Sequence, residues 1–292
     1  MNSKSKLFEA RLLLCTDMDR TIIPNGSQAE DFLARKQFSD FCSLPQVTLV
    51  YVTGRHQAMV KDAIRDYNLP MPNYAITDVG TMVYRIDEQE WHESKEWKNE
   101  IAMDWNGNDH SRIKDLLADI TDLNLQEEDK QNIHKLSYYV ALHSDHQNLL
   151  SIIEKRLQAR NISASLIWSI DEPKAIGLLD VLPKNATKLH AIEFLRRQLN
   201  YSLNEVVFAG DSGNDLPVLT STIPSVLVGN ATSEVREMAQ NMAKSHLTSL
   251  FLATGKNTTM NGNYAAGVLE GVCHFSPVFR QPLIDSGFYC GK

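Results

Sequence analysis

Residues 12 to 21, L-L-L-C-T-D-M-D-R-T, place Asp17, Asp19 and Thr21 directly after a short apolar run. The continuous apolar segment Leu12 to Thr16 is typical of a strand that is covered on both faces of a sheet. A second such segment, V-V-F-A-G-D-S-G-N-D at residues 206 to 215, ends in three polar residues, Asp211, Asn214 and Asp215. Aspartates gathered at strand ends repel one another and need a cation or a shared proton. A hard divalent cation with oxygen ligands, most simply Mg²⁺, meets that need and suits a phosphate substrate.

The rest of the chain alternates apolar strands with amphipathic helices, which predicts an α/β fold with a parallel sheet. The pattern changes after Arg85, where charge and Trp become frequent, and returns after Pro183. Residues 136 to 182 within that interval predict strands and a helix with antiparallel pairing. We therefore predict a catalytic core at residues 1–85 and 184–292, split by an inserted α/β domain at residues 86–183. The last seventeen residues, from Ser276, carry no strong pattern.

Composition limits the classes of partner and compartment. The chain has 292 residues, 43% of them hydrophobic and 22% charged, with a net charge of −7. That charge argues against nucleic acid or an anionic membrane as a partner, since both are bound through excess Lys and Arg. The first apolar stretch is too short for a signal peptide or a membrane span, so we expect a cytoplasmic protein. The four cysteines show no metal-binding spacing, and without a secretion signal we expect no disulfide.

The residues around the first motif suit phosphoryl transfer. Asp17, the first residue after the strand, is the natural nucleophile, because a carboxylate can form an aspartyl-phosphate. Asp19 lies close enough to protonate the departing oxygen and later to take a proton from the attacking water. The same string would also suit a solvated turn or a helix N-cap.

Two further positions supply phosphate contacts. Thr53 follows the run from Val47 to Val52, and its hydroxyl and the following backbone N–H groups can hold phosphate oxygens near a helix start. An ordinary N-cap would look almost the same. Lys188 begins an amphipathic helix, where it is either a solvated residue or the cation that balances the carboxylates and the phosphate.

The four motifs together resemble those of the haloacid dehalogenase-like phosphatases, D-x-D-x-T, a Ser/Thr, a Lys and G-D-x-x-N-D. This resemblance implies a Rossmann-like core and an Mg²⁺ site that involves Asp17, Asp19 through its carbonyl, Asp211 and Asp215. It makes Thr53 and Lys188 catalytic residues that also bind substrate, and it adds Gly54, Arg55 and Asn214 as substrate-binding residues. Arg20 departs from the family pattern, since that slot more often holds Gly or Asn.

Longer strings resemble the sucrose-phosphate phosphatases over nearly the whole chain. They include Y-V-T-G-R at 51–55, H-K-L-S-Y-Y-V at 134–140 and D-V-L-P-K-N-A-T-K at 180–188. The resemblance implies that the insertion is a cap that closes over the site and selects the substrate. Lys135, Ser137 and Tyr138 are the candidates for sugar hydroxyls, although the same residues would suit a half-exposed strand. We expect a monomer, with a sucrose-phosphate synthase as a candidate partner.

Three functions compete at this point. The favoured one is an Mg²⁺-dependent phosphatase of sucrose 6-phosphate or of a close disaccharide phosphate, such as mannosylfructose phosphate. A phosphomutase is the second, but the insertion shows no clear Arg cluster for a second phosphate. The third is a non-catalytic partner of a sugar synthase. The complete set of carboxylates argues against it, because a scaffold has no use for such a cluster.

Overall fold

The structure is a computed structural model that describes residues 10–171, 174–256 and 258–291. In chain order its strands are β1 (Leu12–Thr16), β2 (Val47–Val52), β3 (Tyr74–Thr77), β4 (Met82–Asp87), β5 (Glu90–Glu93), β6 (Asn124–Leu125), β7 (Leu136–Val140), β8 (Ala164–Asp171), β9 (Ile176–Pro183), β10 (Val206–Gly210), β11 (Ser225–Leu227) and β12 (Leu250–Leu252). The α-helices are α1 (Ala34–Cys42), α2 (Gln57–Asp66), α3 (Lys95–Ala102), α4 (His110–Leu117), α5 (His146–Gln158), α6 (Lys188–Gln198), α7 (Leu216–Leu219), α8 (Ser233–Met242), α9 (Tyr264–Phe275) and α10 (Arg280–Asp285). None of the described helices has the length and apolar character needed to cross a membrane.

The described chain divides into two compact units, one containing residues up to Glu93 and from Ala191 onward, the other Ser94–His190. The first unit contains an eight-stranded sheet in the order β12-β11-β10-β1-β2-β3-β4-β5. Pairing is parallel from β12 to β3 and antiparallel for β4 and β5. Every residue of β1 is buried, as its unbroken apolar sequence requires for a central strand. The predicted α/β class with a parallel sheet is confirmed.

The strand order brings the two acidic motifs to one edge. β1 pairs with β10 on one side and with β2 on the other, all in parallel. The chain therefore proceeds from β1 in one direction and later returns to the opposite side of it. In open parallel sheets this reversal creates a crevice at the carboxyl ends of the strands, where ligands bind.

Helix α9 lies against the sheet of the first unit, where it packs on β10, β11 and α1. Its sequence, Y-A-A-G-V-L-E-G-V-C-H-F, is buried from Tyr264 to Cys273. A Cβ at Gly271 would lie 1.9 Å from Val226 Cγ2, and one at Gly267 would lie 2.2 Å from the Gly262 carbonyl oxygen. The two glycines therefore allow this helix to approach the sheet closely.

The second unit contains a four-stranded antiparallel sheet in the order β6-β7-β9-β8. Alternate residues of β7 (Leu136, Tyr138 and Val140) belong to its core, together with residues of α4 and α5. Strand β5 pairs with β4 and so extends the sheet of the first unit, although its charge led us to count it with the insertion. The role of the second unit as a cap stays a prediction.

The C-terminal segment corrects one expectation. Cys273 and Cys290 form a disulfide with a Cα–Cα distance of 6.0 Å, whereas Cys15 and Cys42 are free. No local spacing revealed the pair, because Cys290 returns to α9 only after Leu283 of α10 and Phe288 beyond that helix have packed into the core. The segment from Ser276, which carried no strong sequence pattern, is thus part of the first unit's core.

Candidate active site

The loop after β1 is fixed by the main chain. The amide of Asp17 donates to the Ala209 carbonyl at 2.8 Å, which continues the pairing of β1 with β10. Met18 is fully buried, and its carbonyl accepts from the amides of Ile22 and Ile23 at 3.0 and 2.9 Å. This tight turn leaves the Asp17 side chain 5% exposed at the carboxyl edge of the sheet.

The loop after β10 holds the second pair of carboxylates. One oxygen of Asp215, Oδ2, accepts from the amides of Asp211 and Ser212 at 3.1 and 3.2 Å. Gly210 makes room for it, because a Cβ there would lie 2.6 Å from Asp215 Cγ. Asp215 is completely buried and Asp211 is 4% exposed.

Three of the predicted metal ligands lie together. Carboxylate oxygens of Asp17, Asp211 and Asp215 all lie within 4.8 Å of one another. The hydroxyl of Thr21 joins two of them, at 3.4 Å from Asp17 Oδ2 and 3.4 Å from Asp211 Oδ1. A buried set of oxygen donors with this much negative charge fits a hard divalent cation.

The carboxylate of Asp19 is held apart from this group. It accepts from Arg55 Nε and Nη2, both at 2.7 Å, in a two-pronged ion pair. The side-chain amide of Asn25 donates to the same carboxylate at 2.7 Å. Hydrogen bonding to Asp19 raises the pKa of Arg55 above its usual value. The pair of contacts fixes the orientation of Asp19.

Asn25 is a site residue that we did not predict from the sequence. Its Oδ1 also accepts from the backbone amide of Arg20 at 2.9 Å. Asn25 therefore connects Asp19 and Arg20 within the loop that follows β1. The signal was the dipeptide Asn25-Gly26, which marks a tight turn.

The segment after β2 lines another side of the candidate site. The Thr53 amide donates to the Ile76 carbonyl at 2.8 Å, and its hydroxyl accepts from the Arg55 amide at 3.2 Å. The neighbouring turn is strained, since Asp78 and Val79 have φ values of 52° and 62°. Such values are uncommon for a β-branched residue and cluster at functional sites. The Val79 amide donates to the Thr53 carbonyl, which anchors this turn against the motif.

These loops enclose one open pocket of about 330 Å³ in the first unit. Its lining residues are Asp17, Asp19, Arg20, Thr53, Gly54, Arg55, Met59, Asp211, Ser212 and Asn214. Asn214 accepts from the Ser212 hydroxyl at 3.0 Å. The structure therefore brings the predicted phosphate-binding residues Thr53, Gly54, Arg55 and Asn214 into the same pocket as Asp17.

Lys188 is the first residue of α6, as predicted, and it is 3% exposed. A fully solvated lysine would not be buried to this degree, so its charge requires partners. Its contribution to the phosphate site stays a prediction.

The three predicted sugar-binding residues do not share one face of the second unit. Lys135 Nζ lies 3.9 Å from Asp180 Oδ2, and the Ser137 hydroxyl donates to Asp180 Oδ1 at 2.5 Å. Tyr138 instead packs in the core, and burial raises its pKa to about 12. Side chains alternate along a strand, so Tyr139 lies on the Ser137 side, where its hydroxyl donates to Glu127 at 2.9 Å. Tyr138 therefore lies apart from Lys135 and Ser137, and the sugar-binding role of all three stays a prediction.

Comparison with known proteins extends these observations. The sequence model of the sucrose-6F-phosphate phosphohydrolase family matches residues 10–276. A HAD-like hydrolase of Nitrosococcus oceani is 49% identical over 94% of this chain and 74% of its own length. A mannosylfructose-phosphate phosphatase of Agrobacterium fabrum is 32% identical over 90% of this chain and 96% of its own length.

A solved structure supports the same fold. The sucrose-phosphatase of Synechocystis, determined with sucrose and phosphate, superposes with a TM-score of 0.68 and 21% identity. The superposition covers 91% of this chain and 98% of that one. With a family match over most of its length, the chain belongs to the sucrose-6F-phosphate phosphohydrolase family of haloacid dehalogenase-like phosphatases and is a phosphoric monoester hydrolase of sugar phosphates.

Proposed function

We propose that this protein is an Mg²⁺-dependent phosphatase that hydrolyses sucrose 6-phosphate to sucrose and inorganic phosphate. The main supporting observation is the buried group of Asp17, Asp211 and Asp215 at the carboxyl edge of the sheet. The Asp19–Arg55 pair lies in the same pocket, so a nucleophile and a proton carrier are close together.

Asp17, Asp211 and Asp215 would hold the cation, with the Asp19 carbonyl as a further ligand. Bound Mg²⁺ would neutralise charge on the phosphoryl oxygens and so let an anionic nucleophile approach. The protein contributes the buried oxygen donors and the backbone hydrogen bonds that fix them.

The reaction proceeds in two displacements. A carboxylate oxygen of Asp17 attacks phosphorus, the bond from phosphorus to the sugar oxygen breaks, and Asp19 gives that oxygen a proton. Asp19 then takes a proton from water while the water oxygen attacks phosphorus, and the bond to Asp17 breaks to release phosphate. Asp19 enters the first displacement in its protonated form, which the second displacement restores by taking a proton from water. Its two-pronged contact with Arg55 must therefore loosen before it donates.

The remaining pocket residues hold the phosphoryl group. Thr53, Gly54 and Asn214 offer hydroxyl, backbone and amide groups, and Arg55 offers positive charge. Lys188 is not among the residues that line this pocket, and its role as a second cation is proposed from the family motif alone. Cations and hydrogen-bond donors that are fixed before reaction stabilise the charge that develops on the phosphoryl oxygens.

The sugar is assigned to the second unit, with Lys135 and Ser137 as the candidate contacts. Mannosylfructose phosphate is the second candidate substrate, because the Agrobacterium relative of that name is similar over 96% of its length. The phosphomutase alternative has no comparable support.

A substrate screen tests the proposal. Release of phosphate is measured from sucrose 6-phosphate, mannosylfructose phosphate, glucose 6-phosphate and fructose 6-phosphate, with Mg²⁺ and with a chelator. We expect the highest kcat/KM for sucrose 6-phosphate and no turnover after chelation. A preference for mannosylfructose phosphate selects the second candidate, and full activity in the chelator contradicts the metal assignment. The monomeric state, a synthase partner and the cytoplasmic location remain predictions.

A further inference from the structure

Arg20, the residue that departs from the family pattern, is held firmly in the acidic loop. Its amide donates to the Ile23 carbonyl at 3.0 Å and to Asn25 Oδ1 at 2.9 Å. Its own carbonyl accepts from the side-chain amide of Asn230 at 2.6 Å. The main chain of Arg20 has a φ of 57°, a left-handed conformation that few residue types adopt readily. The backbone therefore fixes where this side chain starts.

The side chain extends to a predicted metal ligand. Arg20 Nε lies 3.2 Å from Asp211 Oδ2, with the arginine side chain 39% exposed and the aspartate 4% exposed. The other oxygen of Asp211, Oδ1, lies 3.4 Å from the Thr21 hydroxyl. Both oxygens of Asp211 thus face groups of the same loop. Arg20 Nε is buried yet forms no hydrogen bond among the described residues, so the contact with Asp211 is electrostatic.

We propose that Arg20 competes with the divalent cation for Asp211 and so sets the Mg²⁺ concentration at which the site fills. The inference rests on the proposed metal site. A cation held by Asp211 would repel the guanidinium and share its carboxylate partner. An arginine cannot lose its proton in a protein, so the competition persists at every working pH. This coupling is reciprocal. If a bound cation weakens the contact of the guanidinium with Asp211 by a given factor, removal of the guanidinium strengthens cation binding by the same factor.

The left-handed backbone determines which variants are informative. Arg20→Asn removes the charge and keeps a residue that tolerates positive φ, whereas alanine would add backbone strain. Arg20→Lys retains a cation but loses the planar fork of donors. The matched control is Arg35→Gln, because Arg35 pairs with Glu30 at 2.7 Å and is 36% exposed. Arg35 lies outside the residues that line the site pocket.

Mg²⁺ binding is measured by calorimetry without substrate, and the melting temperature is measured in chelator and in Mg²⁺. We expect Arg20→Asn to bind Mg²⁺ about fivefold more tightly than the wild type, near the lower end of typical couplings between two sites. Arg20→Lys should fall between the two, and Arg35→Gln should match the wild type. The rise in melting temperature that Mg²⁺ causes should be larger in Arg20→Asn, since a tighter ligand stabilises the folded state more.

The outcomes separate this inference from the proposed function. If the wild type binds Mg²⁺ and Arg20→Asn binds it equally or more weakly, the competition is disproved while the metal site stands. If Mg²⁺ affinity is unchanged but inorganic phosphate binds the variant more weakly, Arg20 is a phosphate contact and the inference is again wrong. Failure of the wild type to bind Mg²⁺ overturns both.

Discussion

The position of Asp17 depends on its backbone, since its amide makes the last contact that joins β1 to β10. A change of its side chain alone should therefore leave the fold intact. We expect Asp17→Asn to lose turnover by at least about a thousandfold, because an amide cannot form the aspartyl-phosphate. Its melting temperature should equal or exceed that of the wild type, since one charge leaves a crowded group of carboxylates.

Phosphate release and a thermal melt on the same preparation check this expectation. Near-wild-type turnover in Asp17→Asn would exclude Asp17 as the nucleophile. Loss of the folded state would instead show that the charge of Asp17 is required for the loop structure.

Arg55 has two candidate roles, the orientation of Asp19 and the binding of phosphate. If Arg55 orients the proton carrier, Arg55→Lys should lower kcat more than it raises KM, because lysine cannot make two parallel hydrogen bonds to a carboxylate. If Arg55 chiefly binds phosphate, KM should rise with little change in kcat. Steady-state kinetics on the preferred sugar phosphate distinguish the two, with Arg35→Gln as the control for an arginine whose ion pair and carbonyl contact lie outside the pocket lining.

Strands that are buried on both faces were predictable, because an unbroken apolar run has one common explanation in an α/β protein. The acidic motifs follow such strands, so their meeting at one edge was predictable as well. Helix α1 was missed although Ala34, Phe38 and Phe41 have helical spacing and are buried. The burial of Tyr138 follows from the alternation of side chains along β7, which places it in the core with Leu136 and Val140. Neither the Asp19–Arg55 contact nor the disulfide could be predicted, because each joins residues from different segments through the fold.

Helix α9 carries a carboxyl group inside the first unit. Glu270 Oε2 accepts from the amides of Thr254 and Gly255 at 3.0 and 2.9 Å. Burial raises the pKa of Glu270 above its usual 4.5, and the two hydrogen bonds only partly oppose this effect. A carboxyl group with a raised folded-state pKa contributes most to stability below its unfolded pKa, and that contribution is lost as pH rises through the folded pKa.

We therefore expect Glu270→Gln to gain free energy of unfolding relative to the wild type as pH rises from about 4.5 toward neutrality. Urea unfolding of both proteins at several pH values measures the difference. Glu234→Gln, at an exposed position in α8, is the control. A difference that is constant with pH would show that Glu270 does not titrate differently in the folded and unfolded states.

The disulfide between Cys273 and Cys290 closes a loop with a sequence separation of 17. A crosslink that closes a loop of this length stabilises the folded protein by about 3 kcal/mol, because it lowers the conformational entropy of the unfolded chain. Cys290→Ser should lower the free energy of unfolding by about that amount under non-reducing conditions. Reductant should lower the free energy of unfolding of the wild type to that of Cys290→Ser. The effect of Cys42→Ser on stability should be the same with and without reductant, since Cys42 is free. Equal stability of wild type and Cys290→Ser without reductant would show that the bond does not form in solution.

We expect discrimination between sugars to come from outside the loops that carry Asp17 and Thr53, because those loops are proposed to contact a phosphoryl group that many substrates share. We expect contacts from the second unit to the non-reacting glucosyl ring to favour sucrose 6-phosphate over the monosaccharide phosphates. Lys135 is the candidate cation for this contact. Its ammonium lies 3.9 Å from Asp180, which also accepts a hydrogen bond from Ser137, and only 8% of the residue is exposed. Its loss should therefore affect large and small substrates unequally.

Lys135→Ala should reduce kcat/KM for sucrose 6-phosphate by about tenfold or more, the effect of one lost hydrogen bond to a charged group. Hydrolysis of a small aryl phosphate, which has no glucosyl ring, should change little. Lys155→Ala, an exposed position on α5 of the same unit, is the control and should leave both substrates unaffected. Equal losses on both substrates would assign Lys135 to folding or to the phosphoryl group. A selective loss on the disaccharide would instead locate sugar recognition at Lys135, the residue before β7, because the aryl phosphate reports on the proposed phosphate site in the same variant.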